Sequence, residues 1–388
     1  MLGACAAPEA KFSMIADLPP ELQSAVLFRD AGQDDQGRWL VRVDVDQRIE
    51  GRLPERALLI PFTDERPWAR VGQRGRPIVP VRVWPLDGER PVVMQAVVDT
   101  GAASTFILSG LSAAEGDVWL SAEIGPHEGI GFVGPVPAGQ GLVRRLEVGP
   151  VAFSPAEVKV NTEQEGRSAS LGLSAFLVFG GIVFDWENRV IIAMPRGRAI
   201  RVDAGWTEVA WEPMPVTTLT PVVGRARAGE VGEHGAGDES WSVRTEFRGM
   251  PVVQAAIAGE SLRAVLDTGG DGDLASLRRL NVEGKGRPRL VGSHGRTQMM
   301  REHQLAGDVR VGSVVFQRPT VVVPDPEAAG NPEHSEASIA FFDAVIGVEL
   351  LRRQPVWFDF ERGVVRFWTG GGGLPALTAT RLVAQDER

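Results

Sequence analysis

The sequence is poor in residues on which several classes of protein depend. One cysteine among 388 residues excludes an internal disulfide framework. A net charge of −9, without a basic stripe that includes aromatic residues, argues against nucleic-acid binding. The sequence contains no run of about 18 apolar residues, so it does not predict a membrane-spanning helix. Metal-ligand spacing is also absent from the five histidines, so we expect no metal site: His127, His234, His294, His303 and His334.

Turn-forming residues and short apolar runs are abundant instead. The chain contains 46 glycines and 27 prolines, which suggests many turns. Its apolar runs are short, rich in β-branched residues and interrupted by glycine or proline, as in VPVRVW, PVVMQAVV and VVRFW. Such runs are typical of strands, and long amphipathic helices are hard to find. The sequence therefore predicts an all-β protein.

One pattern occurs twice. AVVDTGAAST spans residues 96–105 and AVLDTGGDGD spans residues 264–273, each beginning in an apolar run. Three further pairs of residues match at a similar offset: Gly149 with Gly312, Gly172 with Gly347, and Asp185 with Asp359. Self-similarity at this period indicates a duplicated domain rather than a solenoid.

The duplication predicts three regions. Residues 1–30 are expected to form an N-terminal tail, residues 31–200 a first lobe and residues 201–388 a second lobe. A charged, glycine-rich stretch at 224–240 is expected to be a flexible loop in the second lobe. The segments before Pro77 and around 205–223 are expected to add accessory strands to their lobes.

Asp99 and Asp267 are the candidate catalytic pair. Each follows an apolar strand, where an isolated carboxylate would be costly to desolvate. Two such carboxylates face to face cannot both ionise, so they share one proton. The ionised member can take a proton from water while the protonated member polarises a carbonyl. The alternative is two ordinary Asp-Thr-Gly turns at strand ends.

The residues after each aspartate have expected supporting roles. Thr100 and Thr268 can hydrogen-bond across a lobe interface and join the two loops. Gly101 and Gly269 are expected to allow the tight backbone that brings an amide to each carboxylate.

At these motifs the sequence resembles the retropepsin-like and pepsin-like aspartic peptidases. The pattern of an apolar run, Asp-Thr-Gly, and a later apolar-apolar-Gly element (SLGLSAFL, AVIGVELL) occurs in order in both halves. The resemblance implies two homologous acid-protease lobes in one chain, arranged as in pepsin, with Asp99 and Asp267 as the dyad. It also implies an aspartic endopeptidase that holds an extended peptide in the interlobe cleft. No cofactor, metal or partner subunit is expected, so the protein should act as a monomer.

The second motif departs from the family pattern. Gly270, Asp271, Gly272 and Asp273 follow its Asp-Thr-Gly, where the family carries Ala and then Ser or Thr. The two extra carboxylates could raise the pKa of the dyad, bind a basic substrate or signal lost activity. The alternative function is therefore a weak or inactive homologue that binds peptides or cell-wall material at a surface.

Two glycine-rich segments are candidates for the flaps that cover bound substrate. The chain has no tyrosine, so the flap tyrosine of pepsin-type enzymes is absent. GIGFVG at 129–134 matches a dinucleotide-binding pattern, but Pro135 and Pro137 block the helix that this pattern must open. We expect flap roles and no nucleotide binding for the glycines of both segments: Gly129, Gly131, Gly134, Gly292 and Gly295.

The residues before Cys5 suggest export. Leu2-Gly3-Ala4-Cys5 resembles the lipobox of bacterial lipoproteins, although a basic and apolar leader does not precede it in this sequence. We expect lipidation at Cys5 and a place in the cell envelope, periplasm or extracellular side if the gene begins upstream. The alternative is a free cysteine in a frayed tail.

The residues next to the dyad predict a mildly acidic pH optimum. Pepsin-like members carry Ser or Thr directly after Asp-Thr-Gly, and that hydroxyl favours the ionised carboxylate. Ala102 and Gly270 occupy these positions here and cannot donate. Replacing Ala102 with serine is expected to shift the acidic limb of activity to lower pH. The sequence does not indicate the natural substrate or the cleavage preference.

Overall fold

We describe the protein from a computed structural model. The described residues are 12–13, 26–33, 39–45, 47–50, 57–64, 75–85, 90–102, 105–108, 119–121, 127–131, 134–149, 151–154, 156–161, 168–176, 179–194, 205–213, 223–225, 241–243, 250–276, 280, 282, 284–293, 296–324 and 342–370.

Strands dominate this part of the chain. Those of the first half are β1 (Phe12–Ser13), β2 (Val26–Gln33), β3 (Trp39–Val45), β4 (Gln47–Glu50), β5 (Leu58–Pro61), β6 (Ile78–Trp84), β7 (Val92–Val98), β8 (Phe106–Leu108), β9 (Trp119–Ser121), β10 (His127–Gly131), β11 (Gly134–Val143), β12 (Arg145–Val148), β13 (Val151–Ser154), β14 (Ala156–Asn161), β15 (Ser168–Leu171), β16 (Gly181–Asp185) and β17 (Val190–Met194). Those of the second half are β18 (Trp206–Ala210), β19 (Glu212–Pro213), β20 (Val223–Arg225), β21 (Trp241–Val243), β22 (Pro251–Ile257), β23 (Glu260–Leu266), β24 (Leu274–Ser276), β25 (Arg287–Ser293), β26 (Arg296–Gln304), β27 (Val309–Val311), β28 (Val314–Phe316), β29 (Thr320–Pro324), β30 (Ala344–Ile346), β31 (Val356–Asp359) and β32 (Val364–Trp368).

The helical elements of the described residues are short. A 3-10 turn spans Leu173–Ala175, and helix α1 spans Val348–Leu351. Each begins directly after the glycine of an apolar-apolar-Gly element, Gly172 or Gly347, whose backbone is extended. The all-β class predicted from the short apolar runs is confirmed.

The two halves have the same strand order. In the first half, nine strands run β10-β11-β14-β8-β15-β7-β6-β12-β13 within a 14-stranded sheet. In the second half, nine strands run β25-β26-β29-β24-β30-β23-β22-β27-β28 in a 10-stranded sheet. The directions match as well: β15 pairs parallel with β7 and antiparallel with β8, as β30 does with β23 and β24. The chain therefore contains one architecture twice, as the sequence repeat predicts.

The hairpin turns repeat too. Gly149 joins β12 to β13 with φ of 57°, and Gly312 joins β27 to β28 with φ of 58°. A positive φ of this size favours glycine, which explains why both halves carry this residue at the aligned position.

A six-stranded sheet joins the halves. Its order is β18-β32-β31-β16-β17-β5, so three strands from each half form one sheet through the antiparallel pair β16 and β31. All five residues of β16 are buried, which is the pattern of a strand covered on both faces. The segments expected to supply accessory strands do so, because β5 and β18 form the two edges of this sheet.

Sheet membership crosses the lobe boundary predicted at residue 200. Strand β21 pairs with β4 of the first lobe, and β20 pairs with β21. Residues 224 and 225 of the predicted loop at 224–240 thus lie in β20, and the other residues of that loop lie outside the described residues.

Candidate functional site

The two Asp-Thr-Gly loops begin at equivalent places in the two sheets. Strand β7 ends at Val98 and β23 at Leu266, each directly before its aspartate. The backbone N–H of Asp99 donates to Leu171 O at 2.9 Å, and that of Asp267 donates to Ile346 O at 2.9 Å. Each loop is therefore held by the strand that precedes the apolar-apolar-Gly glycine of its own half.

Four hydrogen bonds join the loops across the lobes. Thr100 Oγ1 donates to Leu266 O at 2.7 Å and accepts from the backbone N–H of Thr268 at 3.1 Å. Thr268 Oγ1 donates to Val98 O at 2.7 Å and accepts from the backbone N–H of Thr100 at 3.1 Å. Both threonines are fully buried. The expected threonine contact is present and is twofold symmetric.

The glycines of the motifs face the carboxylate of the opposite lobe. A Cβ added at Gly101 would lie 2.5 Å from Cγ of Asp267, and one added at Gly269 would lie 2.4 Å from Cγ of Asp99. Neither glycine has a positive φ. We expected glycine for its backbone freedom, but the observed reason is space, since a side chain here would displace the partner carboxylate. The amide approach is seen at Gly269, whose N–H donates to Asp267 Oδ1 at 2.7 Å.

The carboxylates of Asp99 and Asp267 lie within hydrogen-bonding reach of each other. Burial, then the charge of Asp99 and the hydrogen bond with it, raise the pKa of Asp267 well above its ordinary value. The Gly269 N–H and the Arg76 guanidinium act in the opposite direction. Oδ1 of Asp99 is buried and accepts no hydrogen bond from the described donors. The pair is thus built to hold a proton, as two close carboxylates must.

Two residues at the site were missed by sequence reasoning. Ser170 Oγ donates to Asp99 Oδ2 at 3.1 Å, so a hydroxyl reaches this carboxylate although Ala102 has none. Arg76 donates from Nη1 to Gly269 O at 3.1 Å, which links the first lobe to the loop of the second. One signal for Ser170 was available, because it lies two residues before Gly172 where the second half has Val345. No local pattern marks Arg76.

The extra carboxylates of the second motif are engaged by arginines. Asp271 Oδ1 lies 3.5 Å from Arg76 Nε, and Asp273 Oδ1 lies 3.2 Å from Arg353 Nη2. Asp273 Oδ2 also accepts from the backbone N–H of Thr320 at 2.8 Å and from its hydroxyl at 2.9 Å. Each extra carboxylate thus faces an arginine, and the pKa of Asp267 is raised by its burial and by Asp99.

Four of the five flap candidates lie in two pairs of antiparallel strands. Gly129 and Gly131 lie in β10 and Gly134 lies in β11, where Gly129 pairs with Val136 and Gly131 pairs with Gly134. The described glycines of this pattern thus lie in paired strands, in agreement with Pro135 and Pro137, which block a helix. Gly292 lies in β25, which pairs with β26 as the equivalent hairpin of the second half. Gly295 and Cys5 lie outside the described residues.

Other candidate centres are not seen in this part of the chain. Among the described residues, no three side chains of His, Cys, Asp or Glu group to hold a metal ion. None of the described helices has the length and apolar character needed to cross a membrane.

Comparisons with known proteins identify similarity in structure. No protein-family model matches the chain, and no curated protein matches its sequence. The crystal structure of an aspartic proteinase from Irpex lacteus aligns with 81% of this chain and 97% of that chain, with 10% sequence identity and a TM-score of 0.43. At such low identity, the chemistry of the site has to follow from its own residues.

Proposed function

We propose that the protein is an aspartic endopeptidase with Asp99 and Asp267 as its catalytic dyad. The observation that carries the proposal is the pair of facing carboxylates, held by the symmetric threonine contact between the two halves. A raised pKa at Asp267 favours retention of one proton by the pair, and this is the state needed for acid and base catalysis at once.

The reaction uses the shared proton and one water molecule. The ionised carboxylate takes a proton from the water, and the oxygen of that water bonds to the peptide carbonyl carbon. The protonated carboxyl transfers its proton to the carbonyl oxygen as the C–O π bond breaks. The dyad therefore returns to a single proton and the substrate becomes a tetrahedral diol, with no covalent enzyme intermediate.

The substrate is proposed to be an extended peptide. Two β-hairpins, β10–β11 and β25–β26, occupy equivalent positions in the two halves. An extended peptide can add to such hairpins as a further strand through backbone hydrogen bonds. The glycines near their ends would let the two backbones approach closely.

The test is cleavage of a peptide library by the purified chain. Asp99→Asn and Asp267→Asn should each abolish cleavage, because neither variant can hold the single proton on two carboxyl groups. Asp308→Asn, which alters an exposed carboxylate in another loop, is the matched control and should cleave normally. A statine-type inhibitor should block the wild type. Cleavage that persists in Asp99→Asn would contradict the proposal.

A non-catalytic protein is the alternative outcome of the same experiment. The feature that favours it is the pair Asp271 and Asp273, which lie beside Arg76 and Arg353. A wild type that binds the library without cleaving it, with binding unaffected by Asp267→Asn, would support a peptide-binding surface module.

We also propose that the full gene product is a lipoprotein anchored at Cys5 on the outer side of a membrane. The support is the Leu2-Gly3-Ala4-Cys5 sequence in a chain with no other cysteine. Expression from the genomic locus with labelled palmitate should label the protein, and Cys5→Ser should prevent it. A stop codon directly upstream of Met1 would contradict the proposal.

A further inference from the structure

The strands that support the two loops differ at one matching position. Ser170 of β15 lies opposite Val97 of β7, and Val345 of β30 lies opposite Val265 of β23. Both pairings are parallel and have the same register relative to the following aspartate. The first half therefore has a hydroxyl where the second half has an apolar side chain.

This difference breaks the symmetry of the dyad. Ser170 Oγ donates to Asp99 Oδ2 at 3.1 Å, and a donor to a carboxylate favours its ionised form. Valine has no donor to offer Asp267 at the equivalent position.

The other charged groups at the dyad act on Asp267. Arg76 reaches the second loop through Gly269 O and Asp271, and its charge favours ionised Asp267. Asp273 is held by Thr320 and Arg353, and Glu349 lies near Asp271 and Asp273. Among the described residues, the Ser170 hydroxyl is thus the contact that favours negative charge on Asp99. It acts against Arg76 and against the Gly269 N–H, which donates to Asp267 Oδ1 at 2.7 Å, while burial of Asp267 acts in the same direction as Ser170.

We infer that Ser170 is a positioning residue that makes Asp99 the ionised member of the pair and leaves Asp267 as the protonated member. Where the proposed peptidase function holds, on which this consequence rests, Asp99 accepts the proton of the attacking water. Asp267 then transfers its proton to the carbonyl oxygen. The single hydroxyl of Ser170 would decide which lobe supplies the base.

The first test uses two variants of similar shape. Ser170→Val removes the donor and Ser170→Thr keeps a hydroxyl on the same β-branched frame. In a profile of kcat/KM against pH, Ser170→Val should move the acidic limb up by about one pH unit, the scale expected for losing a hydrogen bond to a charged group. Ser170→Thr should keep the acidic limb of the wild type. Identical profiles for the two variants, or a lower kcat with both limbs unmoved, would overturn the inference.

Val345→Thr is the reciprocal variant. It offers a new donor to Asp267 and should move the basic limb to lower pH, because ionisation of the second carboxyl becomes easier. Thermal unfolding of all three variants checks their folding. If Ser170→Val does not fold, the pH profile of Val345→Thr is the test. A basic limb at the wild-type pH in that variant would then contradict the inference.

A second readout does not depend on catalysis. Carboxyl 13C NMR of the full chain, with Asp99→Asn and Asp267→Asn for assignment, can follow the two groups through a pH titration. Asp99 should remain ionised to lower pH than Asp267, and Ser170→Val should reduce or reverse this separation. If peptides are cleaved but Asp267 ionises first, the inference fails and the proposed function stands. If Asp99 ionises first and no peptide is cleaved, the inference stands and the proposed function fails.

Discussion

At the scale of residues, the site is controlled by the space between two loops. Gly101 and Gly269 leave room for a carboxylate from the other half. A Cβ at either position would lie too close to Cγ of that carboxylate. Their role is therefore different from that of Gly149 and Gly312, which are needed for a positive φ in hairpin turns.

Gly269→Ala is expected to abolish or greatly reduce peptide cleavage. Its Cβ would lie 2.4 Å from Cγ of Asp99, so the carboxylate or the loop has to move. Displacements of this kind misalign the reacting groups, and about 1 Å can cost roughly a hundredfold in rate. Gly307→Ala is the matched control, because nothing lies within 4 Å of its added Cβ and its φ is not positive. Equal kcat/KM in both variants would contradict this explanation.

Asp267→Asn should alter how stability depends on pH. The pKa of Asp267 is raised in the folded chain by burial and by Asp99, so its ionisation opposes folding. In the wild type, protonated Asp267 should contribute fully to the free energy of unfolding below the ordinary aspartate pKa. This contribution should be lost as pH rises through the raised pKa of the folded chain. The asparagine variant cannot ionise and should lose less over that interval.

Urea unfolding at a series of pH values from about 3 to 8 measures this difference through the free energy of unfolding. The difference in stability between Asp267→Asn and the wild type should grow in favour of the variant as pH rises. Curves that stay parallel across the range would show that burial of this carboxyl is not costly.

At the scale of elements, the threonine contact binds the ends of β7 and β23 together. Each hydroxyl donates to a carbonyl at the end of the other half's strand and accepts an N–H from the other loop. Joining these ends holds the two aspartates that follow them close together.

Thr268→Val should destabilise the chain by about 1–3 kcal/mol for each buried partner left without a hydrogen bond. The partners are Val98 O and the N–H of Thr100. Thr268→Ser retains the hydroxyl and should lose much less. Thr207→Val is the control, since it removes an exposed hydroxyl contact to Thr369. Denaturant unfolding gives the values, and equal losses for Thr268→Val and Thr207→Val would contradict the assigned role.

The elements show how far local sequence patterns reach. Both β6 and β7 were predictable because they are short apolar runs rich in valine, and burial alternates along each. The pairing of β21 with β4 was not predictable, because short strands in a polar region have no sequence pattern that identifies the strand with which they pair.

At the scale of the whole molecule, one chain supplies both halves of the site. Strands β16 and β31 join the halves in one six-stranded sheet, and the threonine contact joins the two loops. Both carboxylates of the proposed dyad come from the same chain.

We therefore expect specific activity to be independent of protein concentration and unchanged by EDTA. Both carboxylates and both threonines of the site come from one chain, and the proposed reaction needs only water and a shared proton. Rates of peptide cleavage over a wide range of enzyme concentration, with and without chelator, make the measurement. Specific activity that rises steeply with concentration, or falls with EDTA, would contradict the expectation.

The sequence by itself determined the all-β class, the duplication and the candidate pair Asp99 and Asp267. These follow from local periodicity and from a motif that recurs in order, both of which are properties of neighbouring residues. Only the tertiary structure decided why Gly101 and Gly269 are glycines, that Ser170 reaches Asp99 and that Arg76 reaches Gly269. The last two contacts join residues 71 and 193 positions apart. Contacts at such separations depend on how strands pair and how the halves meet, and a local pattern carries no information about either.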